Sequence, residues 1–516
     1  MSCSPAKDSP GPVLNRGNGP DIKSLDPAFV QGTWESWVVG DMIMGLTTEG
    51  PRAEPIPGAA THWEVSPDGL RWTFHLRNHL WSDGVPVTAC DFVFAWRRLI
   101  DPKTAAPYAY NLWVVKNAHA ISASKLPPSA LGIAALDDKT LVIALEHPAA
   151  YLPELMDHQV AWPIARHAYL KFGDGWTKPK NYIGNGPYIV TEWIPGDHIT
   201  LVKNPLFYDA AHVRIGTVNY FQTADSQSGL RQFRVGELDT LYQFPTSQID
   251  WIRLHLPQSL QVAPYLGVAY LAMNFARRPF QDIRLREAIN LAYDREVLTG
   301  KIHRVGETPA YRIVPPGVAN YPGTGALWFH ALSAAERITK ARALMREMGY
   351  GPAHKLRLNY LTTTNPDNLR NAVATQAMMA KIGIGLSIVA VEGQVFQQMV
   401  QNHDFDIAFP SWIADFNDAS NFLDLLRSGS GENYGGYANP KYDALLDAAQ
   451  STADPRARGA LMQQAEDLAL SDYAWVPAYF MVTRDLVNPR VKGWIANVRD
   501  MNRTRWLWID DTPGMH

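Results

Sequence analysis

From about residue 270 onward the chain alternates between apolar runs of strand length and apolar stripes of helical period. That alternation leaves few architectures open other than α/β. "YLGVAYLAMNF" at 265–275 is an unbroken strand run, and "DIRLREAINLAYDREVL" then puts Leu285, Ala288, Ile289 and Ala292 on one helical face. Ser333 and Glu336 have capping-box spacing ahead of a stripe of Ile338, Ala341, Leu344, Met345 and Met348. Strands "HKLRLNYLT" and "GLSIVAV" flank the helical "LRNAVATQAMMAKIGI", and "VFQQMVQNHDFDIAFPSW" reads as a helix followed by a strand. Two more helices follow: one carries Tyr442, Leu445, Leu446 and Ala449, and the other opens on an aspartate cap with Pro455 in its first turn. The C-terminal "NRTRWLWID" returns to a strand pattern.

The front of the chain reads differently. "GLRWTFHLR" alternates with period two and puts Leu70, Trp72, Phe74 and Leu76 on one face. A turn at Ser82-Asp83-Gly84 leads to Thr88, which caps a helix with Phe92, Ala95, Trp96 and Leu99 on one side. "DDKTLVIALEHP" and "GDHITLVKNP" add further turns and strands. A β-rich region therefore precedes the α/β region, and 516 residues suffice for two or three domains.

Composition closes off several functions. The formal charge is −3 with lysine and arginine dispersed, so no basic track for nucleic acid exists. No apolar run approaches membrane-spanning length; "YAWVPAYFMV" at 473–482 is half that and contains a proline. Phosphate-cradling, dinucleotide-binding, nucleophile-elbow and HExxH patterns are all missing, and no carboxylate spacing suggests acid–base chemistry. An enzyme is not expected, nor a cofactor or a metal. His75 and His79 are four apart, but in a strand-and-turn context they do not share a face and read as structural. Cys90 in "VTACDFVF" reads as a small core residue. Cys3 sits in a polar, proline-rich tether, and two readings stand: a stray cysteine, or the lipidated first residue of a mature lipoprotein.

One stretch demands a partner. In "FPSWIADFNDAS", 409–420, Asp415 lies among Trp412, Ile413, Ala414 and Phe416. A carboxylate in apolar company needs a protein cation, a helix N-terminus, a metal or a cationic ligand.

Several segments, in order and nearly over the full length, resemble the peptide-binding solute receptors of bacterial ABC importers, extracellular solute-binding family 5, and within it the oligopeptide receptors. They are "SLDPAFVQGTWES" at 24–36, residues 59–110, "IGNGPYIVTEW" at 183–193, "RVGELDTLY" at 234–242, "LREAINLAYDRE" at 285–296, "TPAYRIVPPG" at 308–317, "WIADFND" at 412–418, "FLDLLRSGS" at 422–430 and residues 476–494. The resemblance implies an α/β, type II periplasmic-binding-protein-like fold of cluster C, with three domains and two lobes closing on a ligand. Domain I would comprise 1–45, 168–266 and 488–516, domain II the insertion 46–167, and domain III 267–487. It also implies a monomeric, exported periplasmic receptor that hands short peptides to a membrane permease, with lipid anchoring through Cys3 where that cysteine is modified.

The family's aspartate that holds the peptide ammonium falls on Asp415, after Trp412. The ligand would pair as an added strand along Ser411, Trp412 and Ile413. Gln31 and Thr33 match positions on the opposite wall, and Tyr108, Tyr242 and Tyr270 match aromatic lining positions; each tyrosine is equally readable as core. Departures are specific. Phe409 stands where the oligopeptide receptors carry an arginine for a peptide carboxylate, a cavity histidine near 366 is missing, and a cavity tryptophan falls on Gly393. These departures keep a second expectation open: a receptor for a modified peptide, murein peptide, opine or oligosaccharide.

Overall fold

The computed structural model describes residues 11–510; Cys3 lies outside them. The chain forms two units, Met1–Gln261 with Arg484–His516, and Val262–Thr483. It passes from one to the other twice.

The first unit is β-rich. Strands β1 (Val13–Gly17), β8 (Tyr188–Ile194), β9 (His198–Lys203), β10 (Thr217–Phe221), β11 (Thr240–Tyr242), β12 (Leu260–Gln261) and β20 (Asp485–Val487) form a seven-stranded sheet in the order β12-β20-β11-β1-β10-β9-β8. β1 runs parallel to both β10 and β11, so the first strand is a central one, flanked by strands more than 200 residues later. Two small hairpins, β2 (Thr47–Glu49) with β3 (Pro55–Pro57) and β21 (Val491–Lys492) with β22 (Trp508–Ile509), stand apart from it. A four-stranded antiparallel sheet joins β4 (Ala60–Val65), β5 (Arg71–Leu76), β7 (Thr140–Ala144) and β6 (Ile133–Ala135) in that order. The period-two pattern of β5 becomes a buried face of Trp72, Phe74 and Leu76.

Thr88 caps the helix Ala89–Ile100, whose buried side carries Phe92, Ala95, Trp96 and Leu99. Cys90 corrects its sequence reading: it is exposed, because at the second helical position it falls off that apolar stripe. The C-terminal segment needs a correction as well. It is a 3-10 turn, Thr504–Trp506, followed by a strand of two residues rather than an extended strand. Ion pairs tie its arginines to separate segments: Arg503 binds the buried Glu49, and Arg505 binds the half-buried Asp209 at 2.9 Å.

The second unit is the α/β one. Strands β13 (Pro264–Met273), β14 (Thr308–Pro309), β15 (Leu356–Thr363), β16 (Ile384–Val391), β17 (Ile407–Ala408) and β19 (Trp475–Val482) are ordered β14-β19-β13-β17-β15-β16, and β18 (Ser411–Ile413) also pairs with β13. β15 is parallel to β16 across the helix Pro366–Ala380, a right-sized crossover unit. Nine consecutive residues of β13, Tyr265 to Met273, are buried. A strand covered on both faces reads as an unbroken apolar run. The Ser333–Glu336 capping box opens the helix Ala334–Glu347 as expected.

Candidate functional site

The stretch around Asp415 begins with β18. It pairs antiparallel with β13, with Ser411 opposite Ala269, Trp412 opposite Val268 and Ile413 opposite Gly267. Flanking bonds from Ala414 N–H to Leu266 O (2.8 Å) and from Tyr270 N–H to Pro410 O (3.2 Å) set the register. In an antiparallel ladder the bonding edge alternates. Trp412 therefore turns its backbone groups toward β13, and those of Ser411 and Ile413 project along the opposite edge. Among the described strands none other pairs with β18.

Asn421 holds the end of this strand in place. Its Oδ1 accepts from Trp412 Nε1 at 2.8 Å and from Asp415 N–H at 3.2 Å, and Asn421 itself is buried. The Trp412 side chain and the Asp415 backbone are thus fixed by one amide. The neighbouring carboxylate has a protein cation. Asp418 is buried and accepts two bonds from Arg458, at 2.6 and 2.8 Å, as well as bonds from Ser420 N–H and Oγ. Asp415 itself is half-buried.

A second carboxylate lies within electrostatic reach. Burial raises the Glu432 carboxyl above the ordinary range; Tyr434, which donates to it, pulls it back, and the negative charge of Asp415 adds to the rise. The Tyr434 hydroxyl bonds Glu432 Oε2 and accepts from Gln397 Nε2 at 2.9 Å. Tyr270 belongs to the same cluster. It is buried and stacked on Trp475 with centroids 3.6 Å apart, and burial followed by Tyr434 and Glu432 pushes its hydroxyl far up. Asp415, Glu432, Tyr434 and Tyr270 thus form one acidic, aromatic-walled cluster. Glu432, Tyr434 and Asn421 escaped sequence reasoning; "GENYGGY" carries only a loop signal.

Phe409 is 5% exposed; its N–H donates to Leu361 O at 3.1 Å, and its ring lies 6.3 Å from that of Tyr479. It is packed into the sheet as an apolar residue. Gly393 opens the helix Gly393–Gln401 and is exposed, with nothing within 4 Å of where a Cβ would sit.

The other expected residues are in the first unit. Gln31 is exposed and its N–H is held by Glu35 Oε2 at 2.9 Å. Thr33 starts the helix Thr33–Met42, whose N-terminus Glu35 caps through Gly32 N–H as well. Tyr242 meets Trp37 of that helix edge-on, with centroids 4.6 Å apart, and accepts from Gln243 Nε2 at 2.6 Å. Tyr108 is half-buried in a separate group with Tyr110 and His158. His75 and His79 do not act together: His79 is buried against Arg77 O at 3.1 Å.

What this geometry offers is a strand edge that ends at paired carboxylates, suited to an extended ligand with a cationic terminus. Residues 54–434 match the family described as bacterial extracellular solute-binding proteins, family 5 Middle. The chain belongs to these family 5 solute-binding proteins. It is 35% identical over 487 residues, 93% of this chain and 89% of the relative, to the periplasmic oligopeptide-binding protein OppA of Salmonella typhimurium. It is 34% identical over 508 residues, 97% and 94% respectively, to the probable deoxycholate-binding periplasmic protein YgiS of Escherichia coli. The crystal structure of Haemophilus influenzae OppA complexed with RPPGFSPFR superposes with a TM-score of 0.89 at 33% identity, covering 97% of this chain and 99% of that one. The α/β, periplasmic-binding-protein-like fold expected from the sequence is the fold of these solved relatives.

Proposed function

We propose that this chain is the receptor of an ABC importer, captures short peptides, and holds the peptide's N-terminal ammonium at Asp415. The observation that carries the reading is Asp415 at the end of β18, locked by Asn421, with the outward backbone groups of Ser411 and Ile413 leading to it. A peptide added along that edge gains ladder hydrogen bonds that ignore side-chain identity, while its ammonium fixes the register. The names of the relatives support peptides as the solute class and the periplasm as the compartment. Among the described residues no helix is long and apolar enough to cross a membrane. In this reading delivery goes to a membrane permease, and the receptor acts as a monomer. The three-domain division, with 46–167 as an insertion, is part of the same proposal. So are Gln31, Thr33, Tyr108 and Tyr242 as ligand contacts.

Mass spectrometry of small molecules released by denaturing the freshly purified protein tests this reading. Peptides with free amino termini are expected. Repeated recovery of sugars or sterols, with no peptide, would overturn it.

A second reading rests on Phe409. Buried against Tyr479, it offers no cation for a peptide carboxylate. Solutes lacking a free carboxylate, such as C-terminally modified peptides, would suit this chain. A thermal-shift panel of free-acid and amidated peptides of equal sequence separates the two, since ligand raises the melting temperature by mass action.

A further inference from the structure

The outer face of the hairpin β4–β5 gathers two imidazoles and a carboxylate. The register has Ala60 opposite Leu76, then His62 opposite His75, Trp63 opposite Phe74 and Glu64 opposite Thr73. One residue, Thr61, is extra, so a β-bulge interrupts β4. Without it His62 would face Phe74 and the buried side, since a one-residue slip reverses every side chain. With it, His62 and Glu64 share the outer face with His75. Ligand atoms of all three lie within 4.8 Å of one another, and His75 Nε2 is 3.7 Å from Glu64 Oε1. The two imidazoles stack with centroids 4.5 Å apart.

Thr61 decides which nitrogen of His62 is available. Its single hydroxyl hydrogen goes to His75 O at 3.1 Å, so its oxygen accepts from His62 Nδ1–H at 2.9 Å. That assignment leaves the lone pair on His62 Nε2. His75 Nε2 is shielded from solvent and has no hydrogen-bond partner among the described residues. A ring nitrogen donating to a hydroxyl oxygen, as in His62, and a shielded unsatisfied nitrogen, as in His75, both fit metal-binding histidines.

We propose that His62, Glu64 and His75 bind a divalent transition ion of the zinc class, with water completing the coordination. Two imidazoles and one carboxylate suit zinc, cobalt, nickel or copper rather than calcium or magnesium, which want oxygen throughout. Donors of a tetrahedral zinc stand about 3.3 Å apart. Side-chain rotation of the exposed His62 and Glu64 closes the remaining gap. The ion would clip the edge strand β4 to β5.

Tag-free, EDTA-treated full-length protein titrated with zinc chloride, by calorimetry and by thermal shift, tests the site. We expect one equivalent bound, a higher melting temperature, no response to magnesium, and visible absorption bands when cobalt replaces zinc. His62→Asn and Glu64→Gln, both at exposed positions, should each weaken binding at least roughly tenfold, and Thr61→Val by about as much, through loss of tautomer control. Peptide affinity should not change. Absence of zinc binding tighter than about a millimolar Kd, or binding that persists unchanged in both His62→Asn and Glu64→Gln, would overturn the proposal.

Discussion

Two aspartates three residues apart divide the work that a charge in apolar company can do. Asp418 pairs with Arg458 and serves stability; Asp415, whose backbone N–H is held by Asn421, is the one we propose for the ligand. Their substitutions should part cleanly. Asp418→Ala removes the buried carboxylate that takes two bonds from Arg458 and should cost about 3–5 kcal/mol of stability, read by denaturant unfolding. Asp415→Asn should act chiefly on ligand affinity, read by titration with a free-amine peptide. Glu432 adds a pH dependence. Its carboxyl is raised in the free protein, chiefly by burial, and a bound ammonium nearby would favour the ionised form. Affinity should therefore climb as pH rises through that raised value, then level off, with proton release detectable in buffers of different ionisation enthalpy. Glu432→Gln should flatten the slope. Asp415 stood out in the sequence because its neighbours are apolar. Glu432 did not, because it lies 17 positions beyond Asp415, past two short helices, and their electrostatic coupling exists only in the folded chain.

At the scale of the element, legibility followed periodicity. β5, β13 and the helices Ala89–Ile100 and Ala334–Glu347 carry apolar spacing that only one conformation can bury. Ser333→Ala should cost about 1 kcal/mol by opening the capping box, measurable as a lowered midpoint in urea. The misreadings occurred where side-chain pairing overrides pattern. "NRTRWLWID" alternates like a strand, yet Arg503 and Arg505 are committed to Glu49 and Asp209, and the backbone turns to let them reach. The bulge at Thr61 is equally silent in sequence, since nothing in "AATHWEV" marks an extra residue. β18 is too short to announce itself, and its importance comes from its edge. A peptide N-methylated where it would donate to that edge should bind at least about tenfold more weakly than its parent, the loss of one buried hydrogen bond and the crowding of another.

The whole molecule depends on segments that are far apart in sequence. In the first unit Arg499 meets Asp157 at 2.7 and 2.9 Å, and Arg503 meets Glu49, all four side chains buried. These pairs sew the C-terminal segment to Asp157 and to β2, so removing residues 484–516 should prevent the first unit from folding. Near them Asp485 and Asp500 share a hydrogen bond in full burial. Desolvation raises both, Asp500 to about 6, and each feels the other. A raised carboxyl stabilises the fold below its unfolded value and loses that contribution as pH rises through the folded one. Asp485→Asn should therefore raise the melting temperature at pH 7 and above. Buried His79, lowered to about 4, acts with the opposite sign, withdrawing roughly 3 kcal/mol as pH falls from 6.5 toward 4. The discontinuous order of the large sheet could not be read locally, since β1 finds its neighbours only across 200 residues.

The most direct measurement is calorimetric titration of the unliganded protein and of Asp415→Asn with one tripeptide in free-amine and N-acetylated forms. The account predicts that the free-amine peptide loses about two to four decades of affinity on substitution, while the acetylated peptide binds both proteins weakly and alike. Equal losses for the two peptides, or none for either, would contradict it.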